Sequence, residues 1–278
     1  MIYIFPHSAV SGSGGYATKR STRQRGRTLI SLDTHRPTMV QAVVPAAGEG
    51  TRMRPLTDER PKGLVEVAGK PLLAHGFDAL DGVADECVVV VGHRGQQIVD
   101  HFGSRYGGLS LSYVTQQEPR GLADALSQAA PLVDGPFISL NGDNVIQADL
   151  RRLVRANRDS SADVTALTER VPREQSGRGA VFELEEGEIV GIVEKPTDPP
   201  STLVPRGCYV FSPAIFEACR RVTPGETGER ELTDAISLVL EAGGTLETVP
   251  LDGWCVNVNT PEDCKRVETL LAGEGNRN

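Results

Sequence analysis

Val40-Gln41-Ala42-Val43-Val44-Pro45-Ala46-Ala47 runs straight into Gly48-Glu49-Gly50-Thr51-Arg52, and Pro61-Lys62 follows, with Lys62 ten residues after Arg52. An apolar strand that ends this way belongs in a sheet that binds its ligands at the strands' carboxyl ends. A glycine-rich turn there gathers backbone N–H groups, which hold phosphate oxygens. Arg52 and Lys62 add two fixed cations. The arrangement suits a nucleoside triphosphate better than a neutral metabolite.

Two commoner phosphate motifs do not fit. A dinucleotide fingerprint needs a third glycine and a helix that opens within the motif. Met53 stands at that third position, and Pro55 and Pro61 oppose a helix. A P-loop has four residues between its glycines and then Lys-Ser/Thr. Gly63 to Gly69-Lys70-Pro71 has five between and proline at the hydroxyl position. On its own residues, the segment is either a phosphate loop or a Gly-rich turn with surface cations.

Downstream, apolar residues alternate between helical and strand periods. Leu72, Leu73, Phe77 and Leu80 behind Pro71 predict a helix over 71–83. The unbroken apolar run at 86–91 predicts a strand buried on both faces. Helices are predicted over 96–102, 121–130 and 149–157, and strands over 109–114 and 136–140. This order predicts an α/β fold: a Rossmann-like open sheet, mixed but mostly parallel, flanked by helices. The second half is richer in strands, over 162–167, 180–184, 189–194, 207–211 and 245–250, with helices over 231–242 and 261–271. It is expected to sit beside the nucleotide half and complete a cleft. No hexapeptide repeat is present, so no β-helix domain is expected.

The 278 residues allow one large α/β domain or two small ones. Residues 1–38 read differently: Ser, Thr, Gly and Arg dominate, with no apolar period. They carry a charge of +5 in a chain whose net charge is −8, which leaves −13 on the remainder. An acidic body does not attract nucleic acid non-specifically. It binds a nucleotide where a divalent cation and a few placed Arg or Lys residues offset the phosphates. No apolar run approaches the ~18 residues that span a bilayer. Five scattered cysteines without a CxxC pair read as reduced, packed thiols, which suits a cytoplasmic setting. Residues 1–38 are expected to form a disordered, dispensable extension, 39–271 the domain, and 272–278 a flexible tail.

Asp143 lies in Leu140-Asn141-Gly142-Asp143-Asn144, at the carboxyl end of a predicted strand and beside a small glycine. There a carboxylate projects into the crevice of an open α/β sheet. Mg2+ takes hard oxygen ligands, typically one or two carboxylates with phosphates and waters. The alternative is a turn Asp that caps the next helix. His75, His93 and His101 are isolated, and no Ser-His-Asp or Cys-His arrangement is visible.

The stretch GEGTRMRPLTDERPKGLVEVAGKPLL resembles the signature of sugar-1-phosphate nucleotidyltransferases, especially glucose-1-phosphate thymidylyl- and uridylyltransferases. The likeness runs from the region of Met39 to that of Leu271. In that family GxGTR…PK binds the triphosphate of the incoming nucleotide. The resemblance therefore implies nucleotide binding by Ala47, Gly48, Gly50 and Thr51, with Arg52 and Lys62 as catalytic cations. Arg52 is expected to stabilise the departing pyrophosphate and Lys62 the charge at the α-phosphate. Gly142-Asp143-Asn144 matches the family's metal-binding motif, so Asp143 is expected to hold Mg2+.

A second metal ligand is expected in Trp254-Cys255-Val256-Asn257-Val258-Asn259-Thr260-Pro261. Many relatives read W-x-D-V-G-T-P, so Asn257 stands at their Asp and Asn259 at their Gly. Other branches carry Asp or Asn directly before T-P, so both asparagines stay candidates. A neutral carbonyl lowers affinity for free Mg2+. Either asparagine, or Thr260, could instead cap the helix that starts near Pro261.

Gln116 and Gly121 fit the family's base-recognition pattern Q-x4-G. A Gln amide offers a donor and an acceptor to a pyrimidine edge, and the glycine would let the base approach the backbone. Glu194-Lys195-Pro196 resembles V-E-K-P, in which Glu holds sugar hydroxyls and Lys the sugar phosphate. Gly179 fits the sugar-contacting glycine. Neighbours on a strand point to opposite faces, so Glu194 and Lys195 can share a ligand only if the strand twists or ends there, as Pro196 favours. Glu66 stands where many relatives have Pro. Thr202 and Pro205 stand where they often have Asn, which leaves the sugar open.

The resemblance implies transfer of a nucleotidyl group from UTP or dTTP to a hexose-1-phosphate, with glucose-1-phosphate the first expectation, giving a nucleotide sugar and pyrophosphate with Mg2+ as cofactor. UTP and dTTP differ by one methyl, a small handle for discrimination. A cytidylyltransferase for a sugar or alcohol phosphate, and a catalytically silent nucleotide-sugar sensor, are the alternatives. The expected partners are the two substrates, without nucleic acid or membrane, and homo-oligomerisation stays open.

Overall fold

The computed structural model of the chain describes residues 2–3, 40–225 and 228–275. In chain order the strands of the first half are β1 (Ile2–Tyr3), β2 (Gln41–Ala46), β3 (Glu66–Val67), β4 (Lys70–Pro71), β5 (Glu86–Val91), β6 (Arg105–Tyr106), β7 (Leu109–Thr115), β8 (Phe137–Leu140) and β9 (Asn144–Gln147). Those of the second half are β10 (Val164–Arg170), β11 (Val181–Glu185), β12 (Glu188–Val193), β13 (Leu203–Phe211), β14 (Leu246–Pro250) and β15 (Trp254–Asn257). The helices are α1 (Leu72–Leu80), α2 (Gly95–Phe102), α3 (Leu122–Gln128), α4 (Arg151–Ser160), α5 (Arg173–Ser176), α6 (Ala214–Arg221), α7 (Leu232–Glu241) and α8 (Pro261–Gly275).

The main sheet runs β1-β7-β5-β2-β8-β13-β10-β14, with β6 paired to β7. Strands β7, β5, β2 and β8 are parallel, as are β10 and β14. Strand β13 lies antiparallel to both β8 and β10. The expected mixed, mostly parallel sheet is therefore the observed one. The chain leaves β2 for β5 and β7 on one side and returns to β8 on the other. The crevice at the carboxyl ends of β2 and β8 is thus a switch point, where such sheets bind ligands.

Strand alternation sets the layers. Ala42 and Val44 of β2 face a core with Leu73 and Phe77 of α1, Ile98 of α2 and Leu153 of α4. Val43 faces the opposite core with Leu126 of α3, Phe216 of α6 and Ile236 of α7. Each fully buried Val, Leu, Ile or Phe side chain contributes about 1.5–3 kcal/mol, so the two apolar layers clamp β2 from both faces. A third cluster packs Met53, Leu72 and Val145 against Val256, Val258 and Val267. It fastens β15 and α8 under the crevice.

Several expectations shift. The helix foreseen over 71–83 stops at Leu80. Strand β13 begins at Leu203 and not at 207, because Pro205 sits opposite a register irregularity between Ala166 and Thr168 of β10. A proline without an N–H is tolerated at such a bulge. The two-stranded ribbon of β9 and β15 and the helix α6 are additions. Within the region expected to be an unpacked extension, Ile2 and Tyr3 pair with Val114 and Tyr113 of β7, and the rest of 1–38 lies outside the described residues. Helix α8 continues to Gly275, into the expected tail, and residues 276–278 lie outside the description. Among the described residues no helix is long and apolar enough to cross a membrane.

Candidate active site

The loop after β2 is built by glycine at one decisive place. Gly50 has φ 66°, and a Cβ there would stand 2.9 Å from Lys62 Cβ. Its carbonyl accepts from Met53 N (2.9 Å) and Thr57 Oγ1 (2.9 Å). The tight turn that results lays Lys62 against Gly50 and exposes Gly48, Thr51 and Arg52 at the crevice, next to the buried Ala47.

Asp143 reaches the same crevice from β8. Gly142 N donates to Pro45 O (3.0 Å), and a Cβ on Gly142 would meet that oxygen at 2.8 Å. The turn after β8 can therefore close on β2 only with glycine at 142. Strand β15 supplies the other wall. Asn257 pairs with Asn144 across the β9–β15 ribbon, and Val258 N donates to Asp143 O (2.8 Å).

These segments meet in one hydrogen-bonded cluster. Lys62 Nζ donates to Asp143 Oδ2 (2.7 Å) and to Asn259 Oδ1 (2.9 Å). Arg52 Nη2 donates to the same Asn259 oxygen (2.8 Å). Asn257 Nδ2 donates to Asp143 Oδ1 (3.0 Å) and Asn144 Oδ1 (2.9 Å), and Asn259 Nδ2 donates to Asn257 Oδ1. The Lys62 side chain is 12 % exposed and that of Asp143 28 %. The cluster is thus half withdrawn from water, where charge interactions are stronger than in bulk solvent. Neither asparagine caps α8: Thr260 Oγ1 accepts from Asp263 N (3.3 Å), while Asp263 Oδ2 accepts from Thr260 N (2.8 Å). That reciprocal pair is a capping box.

A second cluster lies at the end of β7. Gln116 Nε2 donates to Gly121 O (3.1 Å) and Asp124 Oδ2 (2.8 Å), and Arg230 Nη1 lies 3.4 Å from Asp124 Oδ1. Both amide hydrogens of Gln116 are engaged, so its carbonyl oxygen is the group left to meet a ligand. Gly121 has φ 94°, and a Cβ there would stand 2.6 Å from both the N and the O of Arg230. Glycine is needed there for the close approach of the chain's own backbone, not in the first place for a base.

The third cluster ends β12. Lys195 has φ 42° and follows a strand that stops at Val193, so Lys195 and Glu194 do not point to opposite faces; Nζ lies 3.4 Å from Glu194 Oε1. Lys195 N donates to Gly179 O (3.0 Å), which brings all three expected sugar-side residues together. Burial holds the Glu194 carboxyl above its ordinary range, with Lys195 pulling the other way. Burial also raises Glu231, helped by the charge of Glu194.

Residues not foreseen include Asn144, Asp124, Arg230, Glu231 and Asp263. Asn144 stood in the quoted Gly142-Asp143-Asn144 motif, and its burial with donors and acceptors on both sides of the ribbon is its structural signature. Asp124 lay one turn inside a predicted helix, with nothing local to mark it.

The sequence profile described as "Nucleotidyl transferase" matches residues 41–262. The chain belongs to the nucleotidyl transferase family. The nucleotidyltransferase is 43 % identical over 237 residues to the UTP–glucose-1-phosphate uridylyltransferase AglF of Haloferax volcanii, covering 84 % of this chain and 98 % of that protein. It is 36 % identical over 238 residues to a glucose-1-phosphate thymidylyltransferase of Streptomyces griseus, covering 84 % of this chain and 66 % of that one. Its fold matches a UDP-glucose pyrophosphorylase solved with UDP-glucose, with TM-score 0.76 and 25 % identity over 85 % of this chain and 99 % of that one.

Proposed function

We propose that the nucleotidyltransferase joins UTP to glucose-1-phosphate, giving UDP-glucose and pyrophosphate. The observation that carries the reading is the single cluster of Arg52, Lys62, Asp143, Asn257 and Asn259, drawn from three separate segments to the crevice at the ends of β2 and β8. A phosphate oxygen of the sugar phosphate attacks the α-phosphorus of UTP. The bond from that phosphorus to the bridging oxygen breaks, and pyrophosphate leaves with the electron pair. The attacking oxygen is already ionised, so no general base is required. Positioning and charge stabilisation carry such a reaction.

Lys62 neutralises charge growing at the α-phosphate, and Arg52 holds the leaving pyrophosphate. Gly48, Gly50 and Thr51 supply the loop for the triphosphate, with Ala47 beneath it. Lys195 fixes the sugar phosphate, and Glu194 with the Gly179 backbone receives the sugar. The free acceptor on Gln116 suits the N3–H of uracil or thymine; cytosine presents an acceptor at that atom. The uridylyl assignment over thymidylyl rests on likeness to AglF along nearly its whole length.

The chemistry of the donor set also fits Mg2+: Asp143 offers a carboxylate, and Asn257, whose Nδ2 donates to that carboxylate, carries a carboxamide oxygen on the same amide group. Asp143 and Asn257 would hold it, because the Asn257 amide touches the carboxylate whereas Asn259 Oδ1 is taken by two cations. When bound, the ion would supply positive charge against the phosphates.

The test is pyrophosphate release by purified protein across a matrix of UTP, dTTP and CTP against hexose-1-phosphates, with and without Mg2+. Turnover is expected to be fastest with UTP, glucose-1-phosphate and Mg2+ together. Tight nucleotide binding without turnover anywhere in the matrix would replace the enzyme reading with the sensor.

A further inference from the structure

We propose that Arg94, assisted by Gln97, is a positioning residue that fixes the segment carrying Lys62. The segment from Pro55 to Arg60 buries a single side chain, Thr57, while Leu56 is 43 % exposed. Apolar burial therefore cannot hold it, and its place depends on polar tethers. Arg94 Nη1 donates to Thr57 O (3.3 Å) and to Asp58 O. Gln97 Nε2 donates to Glu59 O (3.2 Å). Three consecutive carbonyls are thus held from the first turn of α2. Thr57 in turn holds the Gly50 carbonyl through its hydroxyl (2.9 Å). One guanidinium therefore bears on both parts of the cation cluster: the glycine turn that presents Arg52 and the stretch that ends in Pro61-Lys62.

The local sequence explains how Arg94 reaches the segment. A Cβ on Gly92 would stand 2.4 Å from Ala47 O, and one on Gly95 2.7 Å from Val91 Cβ. These two glycines let the start of α2 press onto the ends of β2 and β5 at once. Arg94, between them, takes a left-handed conformation with φ 59°. That conformation is uncommon for a side chain larger than glycine and persists where surrounding contacts impose it. A charged donor serving backbone carbonyls makes a stronger bond than a neutral one. Both bonds leave the single Nη1, so a lysine ammonium could serve the same carbonyls, but on a flexible stem without the rigid planar head of arginine.

The consequence for turnover rests on the nucleotidyl-transfer reading above, so the experiment has one arm that does not. Arg94→Met and Arg94→Lys are compared with the parent by hydrogen exchange, by melting temperature, and by KM for UTP and for glucose-1-phosphate. For Arg94→Met, exchange in residues 56–62 is expected to quicken, with melting lowered by no more than a few degrees. The KM for UTP is expected to rise about tenfold, with the KM for the sugar phosphate unchanged. Arg94→Lys should recover part of the loss. Unchanged exchange in 56–62 overturns the inference. So does lost turnover that tracks a lower melting temperature with both KM values held, since that is the mark of a merely structural residue. Should the parent show no turnover at all, the functional reading fails, and the exchange arm alone decides the role of Arg94.

Discussion

Lys62 Nζ sits 2.7 Å from Asp143 Oδ2, across 81 positions of sequence, and shares its remaining bonding with Asn259. Without substrate, the cation and the carboxylate neutralise each other in a half-buried site. On the proposed reaction, a triphosphate would draw Lys62 away and a divalent ion would be held by Asp143 in its place. On that reading the cluster would suit a metal–nucleotide complex better than either component alone.

Lys62→Met should cut kcat by on the order of 10²–10³, the usual cost of removing one donor from a developing anion. Melting should fall as well, because Lys62 is largely buried and its loss leaves the partly buried Asp143 carboxylate without its cation. Pyrophosphate release and a thermal melt on the same preparation check both halves. A variant that retains most of its turnover would remove Lys62 from the reacting atoms.

The two asparagines should separate. Asn257→Asp adds a carboxylate beside Asp143 and should lower the Mg2+ concentration needed for half-maximal rate, and should tighten Mn2+ binding in calorimetry. Asn259→Asp places its new charge between Arg52 and Lys62 and should compete with phosphate for them, which raises the KM for UTP without helping the metal. Equal effects of the two substitutions on metal binding would contradict this division.

Glu194 and Glu231 should leave a trace in the pH dependence of stability. Both carboxyls are held above the ordinary value of 4.5 by burial, the first opposed by Lys195 and the second reinforced by Glu194. A raised acid binds its proton more tightly folded than unfolded. Its contribution is complete below the unfolded pKa and is lost as pH rises through the folded one. Glu231→Gln should therefore gain melting temperature relative to the parent as pH climbs from 4.5 toward neutrality. A difference that stays flat over that range would mean that Glu231 titrates normally.

Gly121→Ala should cost about 2 kcal/mol or more, since φ 94° and the Arg230 backbone at 2.6 Å both oppose a Cβ. That corresponds to a fall of roughly 4–8 °C in Tm. The displaced 229–231 segment should also loosen Asp124 and with it Gln116, so UTP affinity should fall alongside. A melting curve and a nucleotide titration are sufficient to check it.

Legibility from sequence followed local pattern. Strand β5 announced itself as an unbroken apolar run, β8 as a short apolar stretch interrupted only by Ser139, and Gly48 to Lys62 as a phosphate loop, because those features are written in adjacent residues. The β9–β15 ribbon was hidden. Asn144 to Gln147 and Trp254 to Asn257 are each four residues, too short to show alternation. Pro205 masked the start of β13, since the bulge that excuses a proline lies on β10. What no window could reveal was partnership: that Asn259 would accept from both Arg52 and Lys62, or that Gly121 owes its identity to Arg230, more than a hundred positions away.

The β9–β15 ribbon also has a consequence in time. Asn257 is joined 114 residues after Asp143. A growing chain emerges with its amino end first and can begin to fold before it is complete. Strands β2, β5, β7 and β8 are available to pair while the other wall of the cation cluster has yet to be synthesised. Competence to hold a charged ligand therefore waits until Asn257, Asn259 and the cap of α8 have been synthesised, within a few residues of one another. A chain cut after α7 would carry the phosphate loop and its sheet, yet have no means of closing the site.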